Sequence, residues 1–551
     1  MTADHTMSEA IRAAYRRGEE EETMAPLVRV DDAGRPVGRL AEGDYVIFYD
    51  IRGEREIELS RALTERDFHE FPHAGTAVRL ATMIEYDPAL QAHVAFPPQQ
   101  EVGDTLCETV SRAGLRQAKI VESEKAVHLR HFLNGKREAP FPGEERVIIE
   151  SAREVEDFDE LPQMHVAQVA QAAVERLADP GYDLLIVNFA NMDVVGHIED
   201  KTAVLQAIAA VDEAVGQVIA AARAYGVTAV VTADHGSVEK WYYPDGKVDT
   251  GHTDSAVPCV IAGAAGDVRA EGALTDVAPT VLELLGVEQP EGMTGTSLVS
   301  CHSECRDSDT KSLPQARGPS SATASPPQDD KTGRRRALLL IVDGWGIEAD
   351  PGLSLLSQVP TPHLDSLLRD WPHATLVASG EAVGMPEGTV GNSEAGHLHL
   401  GAGRVVPSDR LRIEWALRDG SYHDNPAFVW AIEGARRDGK ALHLLGIISF
   451  YSSHGSVRYL LELLETCARH GARDVYIDGP LGRRGERPET GAAYIQDVED
   501  KCAAVGLGQV ASVIGRHWAL DREERWERVE KAYRLLVLGD GAPVRSEPVE
   551  A

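Results

Sequence analysis

The 551-residue sequence predicts an α/β fold, and two kinds of segment carry that prediction. Tyr182 to Phe189 (YDLLIVNF), Val227 to Val231 and Ala337 to Val342 (ALLLIV) are short, continuous apolar runs, the pattern of strands buried on both faces of a parallel sheet. Between the first two, Val204, Ile208, Val211, Val215 and Val218 recur at helical spacing up to Gly226, as expected of a helix packed on such a sheet. The length leaves room for two domains, three at most.

Composition narrows the class of function. Acidic residues outnumber basic ones 88 to 55, a formal charge of −33, and no concentrated basic patch offsets it, which argues against nucleic-acid binding. The basic run Arg334-Arg335-Arg336 reads as a solvated linker end. No apolar run reads as long enough to span a bilayer, and the N-terminus lacks the apolar centre of a signal peptide, so a cytoplasmic monomer without a membrane partner is expected. The six cysteines are scattered, which suits reduced thiols, and Cys301 with Cys305 and His302 offers too few ligands for zinc.

In chain order, residues 9 to 24 are a short charged helix candidate. Asp44 to Ile51 is an apolar strand ending in Arg52-Gly53-Glu54-Arg55, where arginines can grip carboxylate or phosphate oxygens or simply pair with nearby glutamates. From Leu106 helix and strand alternate, and Lys119 to Val121 leads into Glu122-Ser123-Glu124-Lys125. Asp193 and His197 follow the strand ending at Phe189, and on a helical turn their spacing puts both side chains on one face. Asp234 and His235 leave the carboxyl end of the next strand, where ligand sites of open α/β sheets gather. Gly251-His252-Thr253 precedes a strand over Val257 to Ala262, and Leu274 to Leu285 is a helix.

Residues 301 to 335 are rich in serine, proline and alanine with almost no large apolar residue, the composition of a flexible linker. The strand after it ends in Asp343-Gly344-Trp345-Gly346. In Gly391-Asn392-Ser393-Glu394-Ala395-Gly396-His397, small neighbours let the backbone approach a phosphate, and a serine opening a helix sits where amide groups favour an anion. Ser393 is the candidate nucleophile, although a Gly-x-Ser turn alone is more often only a turn. From about residue 408 a second α/β domain follows. Its strands Leu442 to Ile448, Val475 to Ile477 and Val510 to Ile514 lead to His454, to Arg483 and Arg484, and to Arg516 and Arg522, a phosphate-binding face. Glu523 to Val537 closes it as an amphipathic helix.

Through Asp343 to Gly346, Gly391 to His397, Asn188 to His197 and Thr232 to Gly236, the chain resembles the cofactor-independent phosphoglycerate mutases of the alkaline-phosphatase superfamily, but in altered order. Residues 9 to about 300 resemble the later part of such an enzyme and 336 to 541 its beginning, so the resemblance implies a circular permutation. The implied domains are a transferase or substrate domain from 9–98 and 408–541, a metal-binding phosphatase domain from 102–300 and 336–407, and the linker 301–335. The resemblance implies two divalent ions, manganese or else zinc, one on Asp193, His197 and His252 and the other on Asp343, Ser393, Asp234 and His235. Two such ions about 4 Å apart can ionise a serine hydroxyl and clamp a transferring phosphoryl group. It further implies that His454, Arg484, Arg516, Arg522, Arg52, Arg55 and Lys125 hold a small phosphorylated acid, with Lys125 bridging the domains as they close.

Two stretches depart from the family. Its Ser-Asp-Gly-Gly-Val-His-Ser-His is here Ser449-Phe450-Tyr451-Ser452-Ser453-His454-Gly455-Ser456, and its Leu-Asp-Gly-Arg-Asp-Thr-Pro-Pro is Leu481-Gly482-Arg483-Arg484-Gly485-Glu486-Arg487-Pro488. The aspartate that would handle a hydroxyl proton is thus Gly485. Three readings follow: interconversion of 3- and 2-phosphoglycerate through a phosphoserine, with Glu486 or another group replacing that aspartate; the same chemistry on a different small phosphorylated or phosphonate acid; or a binding relative with little turnover.

Overall fold

The structure is a computed structural model that describes residues 6–545, apart from 100, 153–154, 156–157, 264–266, 301–334, 451, 453 and 483–489. All but the last residue of the expected linker, the Cys301–Cys305 pair, Arg484 and the altered Gly485 therefore lie outside the described residues. The chain forms two compact units, Gln99–Leu411 and Met1–Pro98 with Arg412–Ala551. Both are α/β, each built on an eight-stranded sheet.

In the unit of residues 99–411 the strands run in the order Glu271–Ala273, His373–Val377, Val257–Ala262, Thr228–Thr232, Ala337–Val342, Leu184–Phe189, Gln117–Glu122 and Glu144–Ile149. The last five are mutually parallel, and Val257–Ala262 runs against its neighbour Thr228–Thr232. Ala337–Val342 pairs on both sides, with Ala337 opposite both Leu184 and Thr228, and all six of its residues are buried. Its uninterrupted apolar run is the signature of that central place. Because the three strands are in register, the residues just past Phe189, Thr232 and Val342 emerge side by side at their carboxyl ends.

Helix Lys201–Ala224 begins at Asp200, whose side chain accepts from the Thr202 and Ala203 amides, and its Val204, Ile208, Val211, Val215 and Val218 are fully buried against the sheet. This helix is long and apolar enough to cross a membrane by length and composition, which corrects the expectation that no run reaches that length. Alanines on its remaining faces raise the hydropathy of what packs as a core helix.

The other unit orders its strands Ala542–Arg545, Leu27–Val30, Gln509–Gly515, Val475–Leu481, Leu442–Leu445, Tyr45–Phe48, Arg79–Ile84 and Ala92–Phe96. Pairing from Gln509–Gly515 to Ala92–Phe96 is parallel throughout, and Leu27–Val30 lies antiparallel to Gln509–Gly515. The N-terminal helix spans Thr6–Arg16 rather than residues 9 to 24, and the chain turns at Gly18 with φ of 82°. The expected helix from Glu523 is α-helical over Trp526–Tyr533 and a π-turn over Arg534–Leu538. The strands expected over Asp44–Ile51 and Leu442–Ile448 are also shorter, because both lift out of the sheet to form loops that carry side chains of a second cluster.

Candidate metal and phosphoryl site

Three carboxylates meet at the carboxyl ends of the central strands of residues 99–411. Asp343 directly follows its strand and is fully buried, with Asn188 Nδ2 donating to its Oδ2 at 2.9 Å. Asp193 stands on a short helix, Asn191–Val194, and His197 ends the 3-10 turn that continues it. The helical spacing expected of that pair is thus a mixed turn, and His197 Nε2 reaches Asp193 Oδ1 at 3.4 Å. Asp234 and His235 follow the neighbouring strand and are fully buried.

Ser393 begins helix Ser393–Ala402, capped by Asn392, whose Oδ1 accepts from the Ala395 amide at 2.8 Å. The two glycines around it bring this helix end close. A Cβ on Gly396 would stand 2.5 Å from Asp234 O, and one on Gly391 would stand 2.2 Å from Ala378 O. Ser393 Oγ lies 2.9 Å from His235 Nε2 and 2.5 Å from Lys125 Nζ. Lys125 Nζ also reaches Asp193 Oδ2 at 2.7 Å and Asp343 Oδ1 at 3.1 Å. Its ammonium thus stands inside the carboxylate cluster. A lysine stem of four methylenes is long enough to reach from the turn Ser123–Lys125 to all three partners.

The imidazoles are oriented by their far nitrogens. Nδ1 of His197 lies 2.7 Å from Thr250 O, that of His252 3.0 Å from Gly391 O, and that of His235 3.2 Å from Gly236 O. A proton shared with each carbonyl leaves Nε2 bare and aimed inward. His252 Nε2 then stands 3.1 Å from both His197 Nε2 and Asp193 Oδ1, an approach of electron pairs that calls for a cation among them. Asp193 Oδ1 and both oxygens of Asp234 are buried without a hydrogen bond among the described residues. Oxygen and imidazole donors without thiolate suit hard or borderline divalent ions, so these residues fit such a pair of metals. Donor atoms of Asp193, His197 and His252 lie within 4.8 Å of one another, as do those of Asp193, His235 and Asp343.

Charge coupling is strong. Burial opposes the Lys125 charge, but Asp343, Asp193 and Asp234 outweigh it and hold the ammonium above its usual range. Burial, then the Asp234 charge, raises Asp343 to about 6. Asp193, despite its burial, is held low chiefly by the Lys125 charge. Sequence reasoning missed His397, which lies one helical turn after Ser393 with its Nδ1 3.2 Å from Asp234 Oδ2 and its Nε2 3.1 Å from Asn188 Nδ2. The signal was the four-residue interval from Ser393 on one helix.

The remaining candidate residues belong to the other unit. Arg52 and Arg522 both pair with Glu54 Oε2, at 3.2 and 2.9 Å, the alternative partnership open to arginines beside glutamates. Arg55 Nη1 donates to Leu520 O at 3.0 Å. Arg516 Nη2 lies 3.1 Å from His454 Nε2, and His454 Nδ1 lies 2.7 Å from Glu56 Oε1. Glu56 and its neighbour Asp50, both fully buried, were not anticipated, and the alternation of arginine and glutamate over residues 52 to 56 was their only trace.

Residues 24–289 match the Metalloenzyme superfamily, and residues 413–551 match the N-terminal domain of the BPG-independent phosphoglycerate mutases. A 2,3-bisphosphoglycerate-independent phosphoglycerate mutase of Moorella thermoacetica is 42% identical over 296 residues, 53% of this chain and 57% of that protein. One from Listeria monocytogenes is 38% identical over 294 residues, with the same shares. The chain thus spans little more than half the length of the curated relatives it matches. A solved Leishmania mexicana phosphoglycerate mutase, crystallised at low cobalt concentration, is 30% identical over 50% of this chain and 53% of its own, with a TM-score of 0.35.

Proposed function

We propose that this chain, whose residues 24–289 match the Metalloenzyme superfamily and 413–551 the N-terminal domain of the BPG-independent phosphoglycerate mutases, interconverts 3- and 2-phosphoglycerate through a phosphoserine on Ser393. The observation that carries this reading is a buried serine hydroxyl in contact with His235 and Lys125, in a cluster where Lys125 touches Asp193 and Asp343, His235 stands beside Asp234, and His197 and His252 stand beside Asp193. Asp193, His197 and His252 would hold one divalent ion, and Asp343, Asp234, His235 and Ser393 the other, with manganese the expected metal and zinc the substitute. Bound there, the ions supply charge for the transferring phosphoryl group and lower the pKa of the serine hydroxyl.

The chain's own groups do the rest. Ser393 Oγ forms the bond to phosphorus as the substrate oxygen leaves, and the reverse exchange delivers the phosphoryl group to the other hydroxyl. Lys125 Nζ, within reach of Oγ, stabilises the oxyanion of the serine and competes with metal for Asp193 and Asp343. Arg52, Arg55, Arg516 and Arg522, with Arg484, hold the carboxylate and phosphate of the small acid. A monomer in the cytoplasm is the expected form.

Circular permutation accounts for the order of the parts. In its support, a domain that begins the relatives matches this chain's residues 413–551, and Ala337–Val342 pairs with strands that precede it by more than a hundred residues. A second substrate reading, the same chemistry on another small phosphorylated or phosphonate acid, draws support from Asp50 and Glu56, two carboxyls placed against His454.

Purified protein supplied with manganese and 3-phosphoglycerate, coupled to enolase, should turn over at rates comparable to ordinary mutases. Loss of that activity with phosphate label still appearing on Ser393 would select the second substrate reading. No label and no bound manganese by mass spectrometry would overturn both.

A further inference from the structure

Asp50, Glu56 and His454 form a buried group remote in sequence from Ser393, none more than 1% exposed, with one donor atom of each within 4.8 Å of the others. Asp50 follows strand Tyr45–Phe48, and its Oδ1 accepts the Ile447 amide at 2.8 Å. Glu56 precedes helix Ile57–Thr64, and its Oε2 accepts the Arg55 amide at 3.1 Å. His454 is pinned by its carbonyl, which accepts the Ile51 amide at 2.5 Å.

The protonation of the histidine follows from its two partners. A guanidinium donates and never accepts, so the contact from Arg516 Nη2 requires a bare Nε2. Burial, reinforced by Arg516, Arg52 and Arg55, lowers His454 to about 4, and the ring is neutral. Its proton is then on Nδ1, donated to Glu56 Oε1. Behind Glu56, Asp50 Oδ2 is buried and meets no donor among the described residues. A proton held between the two carboxyls supplies the missing hydrogen bond, and burial followed by the Glu56 charge pushes Asp50 well up, in keeping with that.

We propose that Asp50 and Glu56 are a proton-sharing carboxyl pair that positions His454 as a hydrogen-bond acceptor, and that its bare Nε2 selects the free hydroxyl of a phosphorylated hydroxy acid. A bare ring nitrogen cannot pair with phosphate or carboxylate oxygens, which are acceptors themselves. It pairs with an arginine, as here with Arg516, or with a hydroxyl once that arginine turns to an anion. His454 is the group that would touch substrate, and Glu56 and Asp50 act through it. The choice of a hydroxy acid rests on the phosphoryl-transfer reading above, whereas the tautomer does not.

The full chain, labelled with ¹⁵N-histidine, would be examined by long-range ¹H–¹⁵N spectra, with His454 assigned by His454→Asn. Nδ1–H with bare Nε2 is expected in the wild type and in Asp50→Asn, whose amide donates to Glu56 as the acid proton does. Glu56→Ala, or Glu56→Met should alanine not fold, is expected to release the proton to Nε2. It should also lower kcat on 3-phosphoglycerate at least about tenfold with little change in KM, while Asp50→Asn keeps most of the turnover. Nε2–H in the wild type, or an Nδ1–H that survives loss of Glu56, overturns the proposal. A wild type inert toward 3-phosphoglycerate removes the mutase reading, and the spectra still decide this one.

Discussion

Both units bury carboxylates at the carboxyl ends of parallel strands, yet they neutralise them by different means. In residues 99–411, Asp193 and Asp343 contact the Lys125 ammonium while Asp234 faces His235 and His397. Around Asp50 and Glu56 the arginines point elsewhere, Arg52 and Arg522 to Glu54 and Arg55 to Leu520 O, and the pair sheds one of its two charges by sharing a proton, with Glu56 pushed up to about 8 chiefly by burial. The contrast teaches what each cluster can hold. Carboxylates kept ionised by a replaceable cation can ligate metal, whereas a pair that keeps a proton can only orient what it touches.

The largest effect should come from the group the first cluster surrounds. Ser393→Ala is expected to abolish phosphate labelling and to lower turnover at least about a thousandfold, while leaving the His454 tautomer unchanged by ¹⁵N spectra. Next, Lys125→Met strips the buried carboxylates of their cation. Metal-free protein should lose about 3–5 kcal/mol of stability by denaturant unfolding, and added manganese should raise its Tm more than it raises that of the wild type. An equal response in both would break the comparison, since Lys125 would then not stand in a cation's place.

Removing one ligand should be milder than removing the nucleophile. Asp343→Asn is expected to lower manganese content by mass spectrometry and turnover by about a hundredfold, whereas Asp50→Asn leaves the manganese content untouched. Smallest is a packing change: Gly396→Ala forces a methyl against Asp234 O, 2.5 Å away, and should cost about 1–3 kcal/mol by denaturant unfolding. Because it displaces the Ser393 helix, its turnover should fall more than its stability alone would explain.

Much of the metal cluster was legible in the chain because strand ends announce themselves. Asp343, Asp234 and His235 each stand within three residues of a buried apolar run, and register alone brings such positions together. His397 was less visible, since a histidine one turn along a helix reads equally well as core. The contacts of Lys125 with Asp193 and Asp343 were not legible for a different reason: the reach and direction of a long flexible side chain are decided by the charges around it. Asp50 and Glu56 left almost no trace, because a carboxyl near arginines ordinarily reads as a surface ion pair, which is what Glu54 turns out to be.

By itself the sequence determined the α/β class, the buried parallel strands, the glycines that let Ser393 approach, and the donor chemistry suited to divalent metal, all of which depend on local pattern and residue type. Only the tertiary structure decided which strand stands between which, that Lys125 joins the carboxylates, and that His454 leans on a protonated pair. Those outcomes depend on electrostatic balance among groups far apart in the chain, and burial, which sets the strength of that balance, exists only once the sheets have formed.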